Sequence, residues 1–247
     1  MSTKDLFSEH ASDYAAFRPD YPMELYEFIF NQVQRFDFAW DCGTGNGQAA
    51  KILSVRFEKV FATDISDRQM EMAIQASNIF YSVSKAEETI FPDNQFDLIT
   101  VAQAVHWFDL KKFYSEVLRT AKPNSVVAIW GYGLLRIEPQ MDLAIDHFYK
   151  NVIGPYWDAE RILIDHAYST LEFPFEEVIV PKFTFVKKWD AHQLEGYLTT
   201  WSAVQKFIKK NSSNPVLELM ETLKGGFEGS VRDINFPLFS RVGVVRK

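Results

Sequence analysis

Short apolar runs alternate with amphipathic stretches through the first half of the chain. Between the runs, apolar residues recur every three or four positions, most clearly over 110–118, which is the period of a helix with one buried face. Strands that alternate with such helices predict a parallel, doubly wound α/β sheet. The runs that have the length and residue types of buried strands are 36–40, 59–64, 79–84, 96–101 and 125–130.

The pattern changes on either side of this region. Two helices are predicted before the first strand, separated near Pro19 and Pro22, because proline ends one helix and is tolerated at the start of the next. From Gly131 onward, prolines and crowded aromatic residues replace the regular alternation. We therefore expect a single domain over 1–247. Its parts are N-terminal lid helices in 1–35, a cofactor-binding core at 36–130, cap segments at 131–177 and 190–230, and the last two strands at 178–186 and 234–245.

A glycine-rich turn follows the first predicted strand, in the sequence Asp41-Cys42-Gly43-Thr44-Gly45-Asn46-Gly47. Glycines let the chain turn sharply and let a ligand approach backbone N–H groups at the start of the next helix. A dinucleotide fingerprint that began at Gly43 would place its third glycine at position 48, which is Gln48 here. Asp41, at the carboxyl end of the strand, would repel a diphosphate and attract a cation. The turn therefore favours a positively charged ligand over a dinucleotide.

The second predicted strand also ends in an acid. Asp64 lies 21 residues beyond Gly43, where nucleotide-binding sheets place a carboxylate that accepts hydrogen bonds from both ribose hydroxyls. Ile65, the next residue, would pack on an adenine ring. Ser66 is a typical helix cap, and Met70 would face inward from that helix. A strand-end acid that only caps a helix is the alternative for Asp64.

Two further strand ends carry candidate contacts. After the third strand, the loop at Ala86 and Glu87 could give an adenine ring its donor and acceptor, although Glu87 could equally be a solvated acid. The fourth strand leads to Gln103, a candidate cofactor contact, and to His106 and Trp107. Ligands of open α/β sheets bind at this carboxyl edge. His106 is the candidate catalytic residue, and a structural histidine is its alternative.

Composition excludes several classes of function. The net charge of -7 and the lack of a basic stripe argue against a nucleic-acid partner. The single cysteine, Cys42, rules out an internal disulfide and fits a reducing compartment. The N-terminus lacks a signal pattern, and no apolar run reaches the roughly 18 residues of a membrane helix, so we expect a cytoplasmic protein without a membrane partner. We see no cluster with metal-ligand spacing and expect no metal.

Several segments together resemble one family. The glycine turn is similar to motif I of class I S-adenosylmethionine-dependent methyltransferases. The resemblance implies a Rossmann-like, mostly parallel sheet of seven strands with an antiparallel last strand, under a helical cap. It also implies methyl transfer from S-adenosylmethionine to a small molecule, with S-adenosylhomocysteine as the product. The segments that resemble trans-aconitate methyltransferases and their relatives (methyltransferase type 11) are 14–22, 104–109, 128–132, 154–157 and 200–203.

The methionine end of this cofactor has candidate partners near the N-terminus. Tyr14 and Arg18 lie one helical turn apart and would point the same way. We expect them to close over the cofactor, with Arg18 holding its carboxylate. A surface pair of tyrosine and arginine is the alternative.

The methyl acceptor could be a small carboxylic acid, which would be methylated on oxygen. A carboxylate is ionised at neutral pH and needs no base, whereas a hydroxyl or amine acceptor would make His106 the candidate base. Arg136 or Arg161 could hold a carboxylate, and either could be a surface residue. The aromatic candidates for lining the acceptor site, beside His106, are Trp107, Tyr156, Trp157 and Trp201.

Two other functions stay open. One is a non-catalytic protein that binds S-adenosylmethionine, and the other is an NAD(P)-dependent oxidoreductase. We expect a monomer or a weak homodimer.

Overall fold

Seven strands form the main sheet of the protein, whose residues 17–227 and 231–247 are described in a computed structural model. Two further strands pair with each other in a separate antiparallel ribbon. The main sheet contains β1 (Phe38–Cys42), β2 (Lys59–Asp64), β3 (Ile79–Val83), β4 (Phe96–Ala102), β5 (Ala121–Tyr132), β6 (Glu176–Val178) and β9 (Leu238–Val244), and the ribbon contains β7 (Val186–Trp189) and β8 (Arg232–Asn235).

The strand order of the main sheet is β3-β2-β1-β4-β5-β9-β6. Strands β1 to β5 pair in parallel, and β9 runs antiparallel between β5 and β6. The order reverses at β1, from which the chain first builds outward to β3 and then returns to β4 on the other side. The predicted fold class, a doubly wound and mostly parallel sheet of seven strands whose last strand is antiparallel, is confirmed.

The first helix precedes β1, the next three connect parallel strands, and the others follow β5. Side-chain caps begin two of them: Asp109 accepts a hydrogen bond from Lys112 N, and Asp190 forms a reciprocal capping box with Gln193. None of the described helices has the length and apolar character needed to span a membrane. The helices are α1 (Met23–Phe30), α2 (Gln48–Leu53), α3 (Asp67–Glu71), α4 (Leu110–Thr120), α5 (Pro139–His147), α6 (Arg161–Asp165), α7 (Ala191–Thr199), α8 (Ser202–Asn211) and α9 (Val216–Leu223), with short 3₁₀ or π turns at Val105–Trp107, Phe148–Val152, Gly154–Tyr156 and Lys224–Phe227.

The expected strand over 178–186 is wrong. The chain leaves the main sheet after Val178 and forms a strand again only at Val186, in the ribbon with β8. Pro181 lies between these points, and proline has no N–H to donate to a strand ladder. Alternating apolar residues over this range therefore mark a crossing between two sheets and not one long strand.

The expected strand over 234–245 is divided in the same way. β8 ends at Asn235 in the ribbon, and β9 begins at Leu238 in the main sheet, with Pro237 between them. Phe236 N still donates to Phe185 O at 2.8 Å, which extends the pairing of the ribbon by one residue. The direction of β9, antiparallel to β5, agrees with the expectation for the last strand.

Three apolar clusters hold the layers together. On one face of the sheet, Tyr26 of α1 meets Trp130 of β5 with 5.7 Å between ring centroids. On the other face, Phe113 of α4 meets Trp40 of β1 at 6.3 Å. The third cluster joins α5, α7, α8, α9 and the ribbon around the fully buried Phe236. The predicted division into core and cap stays a prediction, although the helices that follow β5 share this third cluster.

A side chain joins the carboxyl ends of β4 and β5. Gln103 N donates to Trp130 O at 2.8 Å, and the Gln103 amide then pairs with the backbone of Tyr132, with Oε1 accepting at 2.8 Å and Nε2 donating at 3.2 Å. The side chain thus takes the place of a backbone partner beyond the end of β4. A Cβ atom on Gly131 would lie 2.4 Å from Gln103 Oε1 and 2.9 Å from the Phe239 ring, so this close approach requires glycine.

We expect Gly131→Ala to lower the free energy of unfolding by about 1–3 kcal/mol, because the new methyl group overpacks the junction of β4 and β5. Urea denaturation of both proteins measures the difference. Gly225→Ala is the matched control, since a Cβ atom there meets nothing within 4 Å. Equal losses in the two variants would contradict the role assigned to the Gln103 pairing.

Candidate active site

The glycine turn between β1 and α2 adopts a backbone conformation that favours glycine. Gly43, Gly45 and Gly47 have φ angles of 68°, 55° and 81°, in the left-handed region. A Cβ atom on Gly43 would lie 2.6 Å from Ala104 Cβ, and one on Gly47 would lie 2.2 Å from Tyr81 Oη. The turn therefore leaves no space on its inner side and presents its backbone at the sheet edge.

Asp41 lies beneath this turn and is 1% exposed. Its Oδ2 accepts a hydrogen bond from Thr44 Oγ1 at 2.6 Å, and its Oδ1 accepts one from Thr100 Oγ1 at 2.8 Å. Burial raises the pKa of the Asp41 carboxyl to about 6, against the opposing effect of these two hydrogen bonds, and the nearby charge of Asp64 raises it further. Its direct contact with a cofactor stays a prediction.

Asp64 meets the glycine turn from the end of β2. Its Oδ2 accepts a hydrogen bond from Gly45 N at 2.8 Å, and its Oδ1 accepts one from Ser66 N at 2.9 Å. Carboxylate oxygens can accept further hydrogen bonds beside these, as a ribose would require. The side chain thus fixes the turn and the start of α3 in the place where a nucleoside sugar is expected.

The other predicted cofactor contacts lie along the same edge. Ile65 and Met70 follow β2, with Met70 buried. Ala86 is buried in the loop after β3, and Glu87 Oε1 accepts a hydrogen bond from Asp109 N at 2.8 Å. That bond ties the loop after β3 to the start of α4. Tyr14 lies outside the described residues.

A pocket adjoins this edge, between the ends of β4 and β5 and the helices that follow them. It brings together seven of the predicted side chains: Arg18, Gln103, His106, Trp107, Trp157, Arg161 and Trp201. The other lining residues are Tyr132, Asp158, Ile164, Tyr197 and Ser202.

Two predicted acceptor-site residues do not line this pocket. Tyr156 packs against Phe207, with 5.1 Å between ring centroids, and its hydroxyl accepts a hydrogen bond from Asn211 Nδ2 at 2.9 Å. Arg136 Nη1 forms an ion pair with Asp146 Oδ1 at 2.9 Å. Tyr156 and Arg136 therefore have partners outside the pocket.

Sequence reasoning missed the tyrosines that surround Arg18. Arg18 Nη1 donates to Tyr132 Oη at 3.0 Å, and its guanidinium lies 5.4 Å from the centre of the Tyr197 ring. A signal for Tyr197 was available, because it precedes Trp201 by four positions and would share its side of a helix. Asp158, Ile164 and Ser202 carry no comparable signal.

Arg161, the first residue of α6, lines the pocket. Its guanidinium lies 4.6 Å from the centre of the Trp157 ring, and Nε donates to Tyr149 Oη at 2.8 Å. Its Nη1 and Nη2 form no hydrogen bond with any described residue, although only 18% of the side chain is exposed. Asp165 Oδ1 lies 3.7 Å from Nε, so the ion pair of Arg161 within the protein leaves Nη1 and Nη2 available to bind a carboxylate through two hydrogen bonds.

The charges around the pocket favour an anion. Asp158, the acidic lining residue, forms an ion pair with Lys206, so its charge is compensated. Arg18 and Arg161 supply positive charge from two sides. A protein with a net charge of -7 thus presents a locally positive site, and local charges determine what a partly buried pocket attracts.

His106 is buried at the pocket wall, with 6% of its surface exposed. Its Nδ1 lies 3.0 Å from Tyr168 Oη, and its ring lies 4.8 Å from the Trp107 ring. Burial, followed by the positive charge of Arg161, lowers the pKa of His106 to about 3. The imidazole is therefore neutral at physiological pH. Among the described residues, no group of three or more His, Cys, Asp or Glu side chains is arranged to hold a metal ion.

Comparison with known proteins identifies the family. A family model described as a methyltransferase domain matches residues 40–129, from β1 to β5. A Dictyostelium discoideum protein named as a methyltransferase is 34% identical to the chain, over 95% of the chain and 93% of the relative. The chain belongs to the class I S-adenosylmethionine-dependent methyltransferases. The narrower resemblance to trans-aconitate methyltransferases stays a prediction.

Solved structures agree with this family. A type II methyltransferase from Anaeromyxobacter dehalogenans has a TM-score of 0.85 and 34% identity, and the match covers 93% of this chain and 99% of that one. A phosphoethanolamine N-methyltransferase of Haemonchus contortus, solved with S-adenosylhomocysteine, has a TM-score of 0.52 and 17% identity, with coverage of 100% and 61%. The second likeness shows the fold alone. S-adenosylmethionine is the methyl donor that the family implies for this methyltransferase.

The titration of Asp41 should be visible in the stability of the ligand-free methyltransferase. Because its pKa is raised from 3.8 to about 6 on folding, its contribution to stability is present below about pH 4 and is lost as the pH rises through about 6. Asp41→Asn removes this titration. The free energy of unfolding of Asp41→Asn minus that of the wild type should therefore increase by about 2–3 kcal/mol as the pH is raised from about 4 to above 6. Urea denaturation at each pH measures this difference. A difference that is independent of pH would contradict the burial argument.

We expect Asp64→Ala to lower the affinity for S-adenosylhomocysteine at least about tenfold, because the ribose loses an ionised acceptor and the turn loses its bond to Gly45 N. Isothermal calorimetry measures the change, and thermal unfolding shows whether the fold persists. Asp67→Ala is the control, since Asp67 is an exposed acid three residues away. Equal affinity in wild type and Asp64→Ala would remove Asp64 from the site.

Proposed function

We propose that this methyltransferase transfers a methyl group from S-adenosylmethionine to a carboxylate oxygen of a small organic acid. The observation that carries the proposal is the fork of Arg161, which is largely buried, lines the pocket and has no partner for Nη1 and Nη2 among the described residues. The Asp165 carboxylate, 3.7 Å from Nε, compensates part of the charge of the guanidinium, and a bound carboxylate would add charge-assisted hydrogen bonds at Nη1 and Nη2.

The cofactor would lie along the edge formed by β1, β2 and the loop after β3. The residues fit a nucleoside there, because the glycine turn keeps its backbone open to a ligand and Asp64 stands beside it. Arg18, together with Tyr14, would hold the methionine carboxylate, and Asp41 would favour the cationic end of the cofactor from below. Ile65, Met70, Ala86, Glu87 and Gln103 would complete the contacts.

S-adenosylmethionine supplies a methyl group that its sulfonium has already activated for displacement. Arg161 would hold the acceptor carboxylate and orient one oxygen toward that methyl group. Trp107, Trp157 and Trp201 would exclude water from the acceptor. Alignment of two bound molecules in this way can supply up to roughly 7–11 kcal/mol of the barrier reduction. The carboxylate oxygen forms the new bond to the methyl carbon while the sulfur keeps the electron pair of the broken bond, so no proton moves.

A hydroxyl or amine acceptor receives less support. Such an acceptor would need a base, and the neutral His106, with its pKa lowered to about 3, is a weak one. A non-catalytic role in binding S-adenosylmethionine is the remaining alternative, and a measurement of turnover distinguishes it. An oxidoreductase role has no support from the comparisons, which match methyltransferases.

We expect the methyltransferase to release S-adenosylhomocysteine with small carboxylic acids and not with matched phenols or amines, in a coupled assay across a panel of acceptors. Arg161→Gln should raise the KM for the acid about 100-fold, because a charge-assisted pair of hydrogen bonds is lost. It should change the KM for S-adenosylmethionine little.

Arg136→Gln is the matched control, since Arg136 is bound to Asp146 outside the pocket and should leave both KM values unchanged. Turnover of phenols or amines alone would contradict the proposal. Binding of the cofactor by calorimetry without turnover of any acceptor would favour the non-catalytic role instead.

A further inference from the structure

Tyr168 and His106 form a buried pair at the pocket wall. Tyr168 is 0% exposed, its hydroxyl lies 3.0 Å from His106 Nδ1, and the two ring planes are inclined by 31°. Tyr168 does not line the pocket, whereas His106 does. The contact therefore joins a side chain of the pocket to one behind it, and only one of the two atoms can donate the hydrogen.

We propose that Tyr168 is a positioning residue, whose hydroxyl donates to His106 Nδ1 and holds the imidazole in the tautomer that carries its hydrogen on Nε2. The reverse assignment would leave the phenolic hydrogen of Tyr168 without an acceptor, because its hydroxyl has no other hydrogen-bond partner among the described residues. The neighbouring Phe239 ring, 4.9 Å away between centroids, has no nitrogen or oxygen atom that could accept it. A stranded donor in buried surroundings is costly, so the first assignment is favoured.

The backbone supports a dedicated role for Tyr168. Helix α6 ends with Ala167 N donating to Ile164 O and Tyr168 N donating to Leu163 O, which is the pattern of a Schellman motif. Ala167 and Tyr168 have φ angles of 51° and 55°, both in the left-handed region. Glycine is usual at the first of these positions, and a buried aromatic residue at the second is an outlier. The chain thus accepts strain at the point that delivers the Tyr168 hydroxyl to His106.

The fixed tautomer makes His106 a hydrogen-bond donor to the pocket. With Nδ1 occupied by Tyr168, the remaining polar atom of the ring is Nε2–H. The charged and titratable groups around the ring are Arg161 from α6 and Tyr168 behind it, with Arg18, Asp158 and Tyr197 elsewhere in the pocket lining. Arg161 opposes a second proton on the ring. The role of this donor rests on the proposed function. If the acceptor is a carboxylate, it would receive hydrogen bonds from both Arg161 and His106.

The tautomer can be tested without any substrate. In protein labelled with nitrogen-15 at histidine, we expect the His106 resonances near neutral pH to show a protonated Nε2 and an unprotonated Nδ1. Tyr168→Phe should shift the two ring-nitrogen resonances of His106 toward the values of a mixture of tautomers. The resonances that disappear in His106→Gln are those of His106. A protonated Nδ1 in the wild type would overturn the inference, even if Tyr168→Phe fails to fold and whichever acceptor the methyltransferase uses.

The role in catalysis is tested with the acids of the preceding assay. Tyr168→Phe should lower kcat/KM about tenfold. His106→Gln, whose amide offers an N–H at similar reach and cannot act as a base, should retain at least about ten times the kcat/KM of His106→Ala.

Ala167→Gly is the control, since it relieves the left-handed strain and keeps the Tyr168 hydroxyl, and it should keep wild-type kcat/KM. If His106→Gln is as inactive as His106→Ala while acids are still turned over by the wild type, the donor role is wrong and the proposed function stands. A wild-type rate that falls with a pKa assigned to His106 above about 5 would also overturn the donor role.

Discussion

The hydrogen bonds of one buried carboxylate connect the glycine turn to the sheet on which the rest of the site depends. Asp41 is the penultimate residue of β1 and accepts hydrogen bonds from Thr44 of the turn and Thr100 of β4, so it fixes the turn relative to two neighbouring strands. Asp64 then binds the same turn from β2. Parallel strands bring their carboxyl ends to one edge, and these side chains convert that common edge into a rigid frame. Asp41 is buried in this frame, and burial raises the pKa of its carboxyl to about 6.

The pocket extends this frame with residues from distant parts of the chain. The pairing of Gln103 with the backbone of Tyr132 fixes the ends of β4 and β5. Arg18 then contacts Tyr132 from the N-terminal side, and Arg161 reaches the pocket from α6. Two arginines in one pocket repel each other unless an anion lies between them. A protein with a net charge of -7 can thus contain a locally positive pocket: the total charge acts over long distances and is screened, whereas the pocket charges are local and partly desolvated.

The fold class, the glycine turn and the first five strands were predicted, whereas the bounds of the last two strands and the contacts of side chains that lie far apart in the sequence were not. The turn, Asp64 and the first five strands follow from glycine chemistry and from apolar periodicity, which are properties of short segments. The strand over 178–186 was predicted wrongly, because alternating residues do not reveal that the chain passes from one sheet to another. Arg136 and Arg161 look alike in sequence, and their contacts separate them: Asp146 binds Nη1 of Arg136, whereas Tyr149 and Asp165 contact only Nε of Arg161. Tyr168 had no signal in the sequence, since its meaning depends on a histidine 62 positions away.

The electrostatics of the acceptor site connect the identity of the acceptor to the role of His106. Burial and the charge of Arg161 both disfavour a protonated imidazole, so the group that would bind a carboxylate also keeps His106 neutral. A neutral ring with Tyr168 bound to Nδ1 can donate from Nε2, and an ionised oxygen is the partner that benefits most from such a donor. An acceptor that must first lose a proton would find no effective base in the neutral His106. Such an acceptor would also bring no negative charge to Arg161. The same three side chains thus oppose a neutral acceptor and support an ionised one, which is why the chemistry of the acceptor and the tautomer of one histidine are linked.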